Sequence, residues 1–367
     1  MDSTTTNQFT DMDPVRFMHL MTPETWKQWL YLKPDINKKY NCSSDTKSKG
    51  FTLLMKLVLL TAEYPEVEGI LIEYLENNGD QIDIKNEKGW TALLLSVYNL
   101  GTLSTENTVK ILLDAGAKVD LQVNDGFTAL LLASDKGNEK VVKLLLDAGA
   151  SVDLQENDGW TALMKSSYEG HTNVVKLLLD ARASVNIQSV RESTVLMIST
   201  GRGSENIVKL LLDARANPDL QNEKGDTALM FAADRGGENM IKLLLNTRTD
   251  PDIQNKRGET ALMFAAYEGM SNVVKILCDA GVNLDLKNNN GLTALAIARR
   301  RGKNDIVELL TNAGAKTELQ LRLDNIKETI TSYTNWLFDI NDPYQPISSR
   351  HSINSCHSVI SSSEKID

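Results

Sequence analysis

The side chains that most often carry out enzyme chemistry are scarce in this sequence. It has four histidines and three cysteines, and no histidine has a nucleophile or a carboxylate suitably arranged around it. His351, Cys356 and His357 have a spacing that allows loose metal binding, but further ligands are missing around them. Neither a GxxxxGK(S/T) phosphate loop nor a GxGxxG loop after a strand is present. The sequence therefore predicts no catalytic residue, no metal, no cofactor and no small-molecule substrate.

Composition and charge disfavour several other kinds of partner. With 49 acidic and 39 basic side chains the net charge is −10, which disfavours a generic surface for nucleic acid or anionic lipid. Cys42, Cys278 and Cys356 are far apart and odd in number, which is typical of a reducing compartment rather than of a disulfide framework. The N-terminus does not resemble a signal peptide, and the apolar stretch 51–62 is too short to cross a membrane. We therefore expect a soluble cytoplasmic protein with no nucleic-acid and no membrane partner.

A 33-residue repeat dominates the chain. The segment NDGFTALLLASDKGNEKVVKLLLDAGASVDLQE of residues 124–156 recurs as NDGWTALMKSSYEGHTNVVKLLLDARASVNIQS in residues 157–189. One threonine marks each unit at a spacing of 33 residues: Thr128, Thr161, Thr194, Thr227, Thr260 and Thr293. Thr91 and Thr52 precede them at steps of 37 and 39 residues. The threonine is suited to cap a first helix, and a glycine such as Gly149 to end the second helix.

This pattern resembles the ankyrin repeat in its period, its G-x-T-A-L helix start, its short second helix and its hairpin loop. The resemblance covers about residues 50–321. The phrases TALM and LLLDAGA are also similar to repeat proteins of large DNA viruses of protists. The resemblance implies an all-α repeat solenoid of about eight helix–turn–helix units, with terminal capping helices and a non-enzymatic role in protein–protein interaction. A viral origin would imply the cytoplasm of the host cell.

The ends of the chain depart from the repeat. We expect a polar segment at 1–21, a capping half-repeat and loop at 22–49, the array at 50–321, a capping helix at 322–338 and a disordered serine-rich tail at 339–367. The C-terminal helix is predicted from apolar residues at helical spacing: Leu323, Ile326, Ile330, Tyr333 and Leu337. Ends of 49 and 46 residues are at the lower limit for an independent fold, so neither has room for a catalytic domain.

The residue before each marker threonine should lie at the hairpin tip and face the concave side. In chain order this position holds Phe51, Trp90, Phe127, Trp160, Ser193, Asp226, Glu259 and Leu292. Tyr98 and Tyr168, at the ends of first helices, should border the same surface. Because partly exposed aromatic side chains often anchor interfaces, the candidate partner-binding residues are Phe51, Trp90, Tyr98, Phe127, Trp160 and Tyr168. The alternative is that these rings pack on neighbouring hairpins and have only a structural role.

A second candidate surface is basic. The helix-ending glycine is replaced in three consecutive units by Arg182, Arg215 and Arg248, and the last unit carries the run Arg299, Arg300 and Arg301. Stacked arginines would suit an acidic partner, whereas drift between repeats and polar capping of the last unit are the alternatives. A left-handed residue other than glycine costs about 1 kcal/mol. We therefore also expect residues 180–250 to be the less stable part of the array.

Three functional hypotheses follow from the sequence. The leading one is a scaffold that binds a partner protein on the concave surface of hairpins and first helices. The second is an adaptor in which residues 10–37, or those after 338, recruit ubiquitin-ligase or signalling machinery. The third is a structural spacer without a specific partner, which the change from aromatic to acidic hairpin tips argues against. The identity of the partner and the oligomeric state stay open.

Overall fold

A row of paired helices forms the body of the protein. The computed structural model describes residues 52–61, 67–78, 81–98 and 104–340. Within them lie sixteen paired helices, and then α17 alone: α1 Leu53–Thr61, α2 Val67–Asn78, α3 Ala92–Tyr98, α4 Ser104–Asp114, α5 Ala129–Asp135, α6 Glu139–Asp147, α7 Ala162–Glu169, α8 Thr172–Asp180, α9 Val195–Arg202, α10 Glu205–Asp213, α11 Ala228–Arg235, α12 Glu238–Leu245, α13 Ala261–Glu268, α14 Ser271–Asp279, α15 Ala294–Arg300, α16 Asn304–Asn312 and α17 Glu318–Ile340. The described part contains no strand, and one isolated bridge joins Gln188 to Thr194. The predicted all-α solenoid of about eight units is confirmed. The segments predicted at 1–21 and 22–49 lie outside the described residues, as does the tail predicted at 339–367, apart from residues 339 and 340, which belong to α17.

The marker threonines begin the first helix of each pair. The side-chain oxygen of Thr128 accepts a hydrogen bond from the backbone N–H of Leu131 at 3.2 Å, and Thr161 does the same for Met164 at 3.3 Å. Thr227 is an exception, because its side chain makes no such bond. Since a cap satisfies one of the otherwise unpaired N–H groups of the first turn, the threonine column fixes where each first helix starts.

The second helices supply an apolar stripe that only neighbouring repeats can cover. In α6 the side chains of Val141, Val142 and Leu145 are fully buried, and the equivalent residues of α8 and α10 are buried as well. From α4 onward, each second helix packs against the second helix of the next repeat, and every first helix packs against the next first helix. The result is one core that runs along the array, so stability depends on contacts between nearest neighbours.

Hydrogen bonds between repeats hold the hairpins in register. The side-chain amide of Gln155 donates to the carbonyl of Gly159 in its own hairpin, at 2.6 Å, and to that of Gln188 in the next, at 3.1 Å. The same paired bonds recur for Gln122, Gln188, Gln221 and Gln254. Because each glutamine amide bonds to its own hairpin and to the next one, these bonds hold neighbouring hairpins in a regular row.

The predicted left-handed arginines are only partly present. Arg182 and Arg215 both have φ +64°, as predicted, but Arg248 does not have a positive φ, so that prediction was wrong. The second helix ends one residue early there, at Leu245, and the hydroxyls of Thr247 and Thr249 donate to the carbonyl of Leu244 at 2.6 and 2.8 Å. The hydroxyl of Thr249 replaces the backbone N–H that donates to the equivalent carbonyl in other repeats, and this turn forms without a left-handed residue.

Removing the left-handed strain should stabilise the middle of the array. We expect Arg182→Gly and Arg215→Gly each to raise the free energy of unfolding by about 0.5 to 1 kcal/mol, because glycine relieves more strain than it loses in chain entropy. Arg248→Gly is the matched control and should give no gain. Urea unfolding measures the free energies, and hydrogen exchange should be faster around 180–250 than at the ends of the array. Slower exchange in 180–250 would contradict the expected weak middle.

The C-terminal helix is longer than the sequence indicates and is largely uncovered. It runs from Glu318 to Ile340, whereas the spacing predicts 322–338. Its apolar residues Leu323, Ile326 and Ile330 are exposed to solvent rather than buried on the last repeat. Within the ranges that the structure describes, no helix has both the length and the apolar character needed to span a membrane.

Candidate functional site

The aromatic hairpin tips are held in place by hydrogen bonds within their own turns. The backbone N–H of Trp90 donates to Oδ1 of the buried Asn86 at 2.9 Å, and the backbone N–H of Asn86 donates back to the carbonyl of Trp90 at 2.9 Å. In the hairpin two repeats on, Glu156 takes the part of Asn86 and accepts from the N–H of Trp160 at 3.2 Å. Trp90, Phe127 and Trp160 are half-buried, with one side of each ring packed on the core. Phe51 lies outside the described residues.

A tyrosine packs against each tryptophan on the side that faces solvent. Tyr98 makes an edge-to-face contact with Trp90, with ring centroids 5.1 Å apart, and Tyr168 makes the same contact with Trp160 at 5.5 Å. The tyrosines are 47% and 41% exposed. In both pairs, therefore, the tryptophan ring packs on the core while its tyrosine partner stays exposed to solvent.

Three cations that the sequence analysis did not single out connect these rings between repeats. Lys136 lies over the ring of Tyr98, with Nζ 5.0 Å from the centroid. Lys165 lies 4.8 Å from Phe127 and 5.0 Å from Trp160. The guanidinium of Arg202 lies 4.5 Å from Tyr168, and its Nε donates to the backbone carbonyl of Tyr168 at 3.0 Å. We call these eight residues the ring–cation row: Trp90, Tyr98, Phe127, Lys136, Trp160, Lys165, Tyr168 and Arg202.

The charges of the three cations are not neutralised by acids in the described part of the chain. None of Lys136, Lys165 and Arg202 has a carboxylate within 4 Å there. A cation over an exposed ring gains about 0.5 to 1 kcal/mol, which orients the side chain without removing its charge. The row therefore offers apolar ring surface together with fixed positive charge, although the whole protein carries −10.

The surface along the hairpin tips changes character after the ring–cation row. A pocket of 570 Å³ lies between the sixth and seventh repeats, with Phe231 and Phe264 in its wall beside Asp226 and Asp234. The acidic side chains at the two hairpin tips already have partners within the array. Oδ1 of Asp226 accepts from the side-chain amide of Asn255 at 2.8 Å, and Glu259 pairs with Arg257 at 2.8 Å. These two acidic tips are thus paired within the array, unlike the cations of the ring–cation row.

The candidate basic residues occupy other places. Arg182, Arg215 and Arg248 are exposed in the loops after second helices, so they lie apart from the hairpin tips and are not part of the ring–cation row. In the last repeat, Arg299, Arg300 and Arg301 are exposed at the end of α15. The guanidinium of Arg301 lies 3.7 Å from the ring of Tyr267, which repeats the arrangement of Arg202 and Tyr168 three units later.

The described titratable groups do not form a reactive centre. Burial, and then the charge of Asp279, raise the pKa of the Cys278 thiol, which keeps it protonated at neutral pH. Burial, and then the charge of Asp250, raise the pKa of Asp219 against the lowering effect of a backbone hydrogen bond. His171 is bound through Nε2 to the carbonyl of Asp135 at 3.0 Å. Among the described residues, no group of three or more metal-ligating side chains converges, and His351, Cys356 and His357 lie outside them.

Comparison with known proteins decides the family. A profile of ankyrin repeats matches the chain in three copies, at residues 103–189, 181–255 and 236–320, which together cover more than half of it. The chain belongs to the ankyrin repeat family. Ankyrin repeats are generally modules of protein–protein interaction, and the fold is typically non-enzymatic.

Relatives of this ankyrin array occur in a giant virus. Two ankyrin repeat proteins of Acanthamoeba polyphaga mimivirus are 37% identical over 89 residues and 34% identical over 96 residues. The matches span 24% and 26% of this chain, but only 10% and 16% of the viral proteins. The predicted similarity to viral repeat proteins is thereby confirmed. Among solved structures, the ankyrin repeat domain of Bcl-3, a member of the IkappaB protein family, is 28% identical with a TM-score of 0.54, over 60% of this chain and 100% of that domain.

Proposed function

We propose that this ankyrin array is a non-enzymatic scaffold that binds an acidic, extended segment of a partner protein along the ring–cation row. The observation that carries the proposal is the combination of exposed rings with cations that have no acidic partner among the described residues. It favours a scaffold over a spacer, since a spacer needs no such surface. The adaptor hypothesis depends on terminal segments that lie outside the described residues.

Apolar and charged groups would have separate roles in binding. Tyr98 and Tyr168 would supply the buried anchors, because tyrosine gives a large contact area with little loss of side-chain entropy. The partner's carboxylates would meet Lys136, Lys165 and Arg202, which are already oriented by the rings beneath them. Because the protein as a whole carries a net negative charge, an acidic segment would bind only where local positive charge offsets it, as in this row.

Peptide selection tests this proposal without a known partner. A library of random displayed peptides is selected on the immobilised full chain, and the affinity of the enriched peptides is measured by calorimetry. We expect enriched peptides to combine acidic with apolar residues and to bind Lys165→Glu about 10-fold more weakly, because a charge at the centre of the row is reversed. Lys176→Glu, on the second helix of the same repeat, is the matched control and should bind as the wild type does.

Two results would contradict the proposal. One is enrichment of peptides without acidic residues whose affinity is the same for wild type and Lys165→Glu. The other is displacement of the peptide by single-stranded DNA at equal concentration, because rings and cations also suit a single-stranded nucleic acid and that result would assign the row to it.

A further inference from the structure

The helix that follows the last repeat begins in a well-defined way. Thr317 and Gln320 form a capping box: the N–H of Gln320 donates to the hydroxyl of Thr317 at 3.3 Å, and the N–H of Thr317 donates to the side chain of Gln320 at 2.7 Å. Just before the helix, Lys316 pairs with Asp324 of its second turn at 2.9 Å. The 23 residues of α17 then extend about 35 Å, far longer than the helices of the array.

One face of α17 is apolar and uncovered. Leu319, Leu323, Ile326 and Ile330 are 47–68% exposed, and no other described helix packs along them. The second helices of the described repeats bury most of their apolar stripes, so a whole exposed apolar face distinguishes α17 from the other described helices. A row of four exposed aliphatic side chains on one face indicates a surface that a partner covers.

The spacing of these residues identifies the kind of partner. Successive residues are separated by four, three and four positions, and Tyr333 continues the series after three more. This is the 3.5-residue period of a coiled coil, in which an apolar seam stays turned toward a second helix as the two wind around each other. The spacing therefore favours a second helix that runs along α17 as the partner.

We propose that α17 pairs with α17 of a second copy of this chain in an antiparallel coiled coil. The seam is self-complementary about its midpoint, because Ile326 then faces Ile330 of the second copy and Ile330 faces Ile326. Arg322 and Lys327 flank the seam. A parallel pair would place Arg322 of each copy beside Lys327 of the other, giving two repulsive contacts, whereas the antiparallel pair leaves only the approach of the two Lys327 side chains near the axis.

Sedimentation of the full chain over a range of concentrations tests this proposal. We expect a concentration-dependent monomer–dimer equilibrium in the wild type. The double variant Leu323→Glu/Ile330→Glu should dissociate at least about 100-fold more readily, because it would bury four carboxylates in the seam. Asn325→Glu adds charge on the opposite face of the same helix, and it should dimerise as the wild type does.

A second measurement distinguishes a loss of folding from a loss of dimerisation. Circular dichroism of the double variant should keep the signal of the repeats, since the changed side chains are exposed in the monomer. A wild type that stays monomeric at every concentration would overturn the proposal and leave the face to another occupant, such as a different protein or a membrane surface. A double variant that dimerises as well as the wild type would also overturn it.

Discussion

Leu178→Ala is expected to lower the free energy of unfolding by about 2 to 5 kcal/mol and to divide the array into two parts that unfold separately. Leu178 is fully buried in α8, which packs against both α6 and α10. The cavity that the alanine leaves therefore weakens two interfaces between repeats at once. Because a solenoid has no long-range contacts to compensate, the repeats on either side lose their coupling.

Leu310→Ala is the matched control for this prediction. Leu310 is the equivalent leucine of the last repeat and is equally buried, but α16 has a packed neighbour repeat only on one side. We expect it to fray the C-terminal end and to leave unfolding of the remaining repeats cooperative. Chemical denaturation followed by circular dichroism, with hydrogen exchange to locate the change, makes the comparison. A loss below about 1 kcal/mol for Leu178→Ala, with a single transition, would contradict the nearest-neighbour account.

The fold was predictable because each residue type recurs at its own place in the repeat. The recurrence of threonine at 128, 161 and 194 predicts the start of a first helix in three successive repeats, and the structure confirms each cap. Arg248 was predicted wrongly because the hydroxyls of Thr247 and Thr249 close the helix in a way that only three-dimensional contacts reveal. Likewise, the spacing in α17 predicts an apolar face, but it does not determine whether the last repeat covers that face.

The candidate surface was less predictable than the fold. Its rings stand out because Trp90, Phe127 and Trp160 share a column, but its cations do not. Lys165 occupies a first-helix position that holds Leu132 and Ile198 in neighbouring repeats. In the sequence it therefore looks like a lysine placed at a core position, not like part of a surface. Lys136 and Arg202 come one residue after the column that contains Tyr98 and Tyr168. The residue that follows this column in each repeat is therefore the sequence signal for two of the three cations.

The second large effect is expected at the tyrosines of the ring–cation row. Tyr98→Ala/Tyr168→Ala should weaken binding of a selected acidic peptide about 100-fold, which corresponds to about 2.8 kcal/mol. Each substitution removes an exposed anchor and leaves Lys136 or Arg202 without the ring that orients it. The fold should lose only about 1 kcal/mol per site, since these rings are exposed and each contributes one edge-to-face contact.

The affinity of this double variant, measured beside Tyr267→Ala, tests the central claim most directly. Tyr267 occupies the same column three repeats after Tyr168, is 46% exposed and has Arg301 over its ring, but it lies outside the ring–cation row. We predict that Tyr267→Ala binds the peptide as the wild type does, while the double variant loses about 100-fold with its repeats still folded. Equal losses in both variants, or none in the double variant, would contradict a partner site on the ring–cation row.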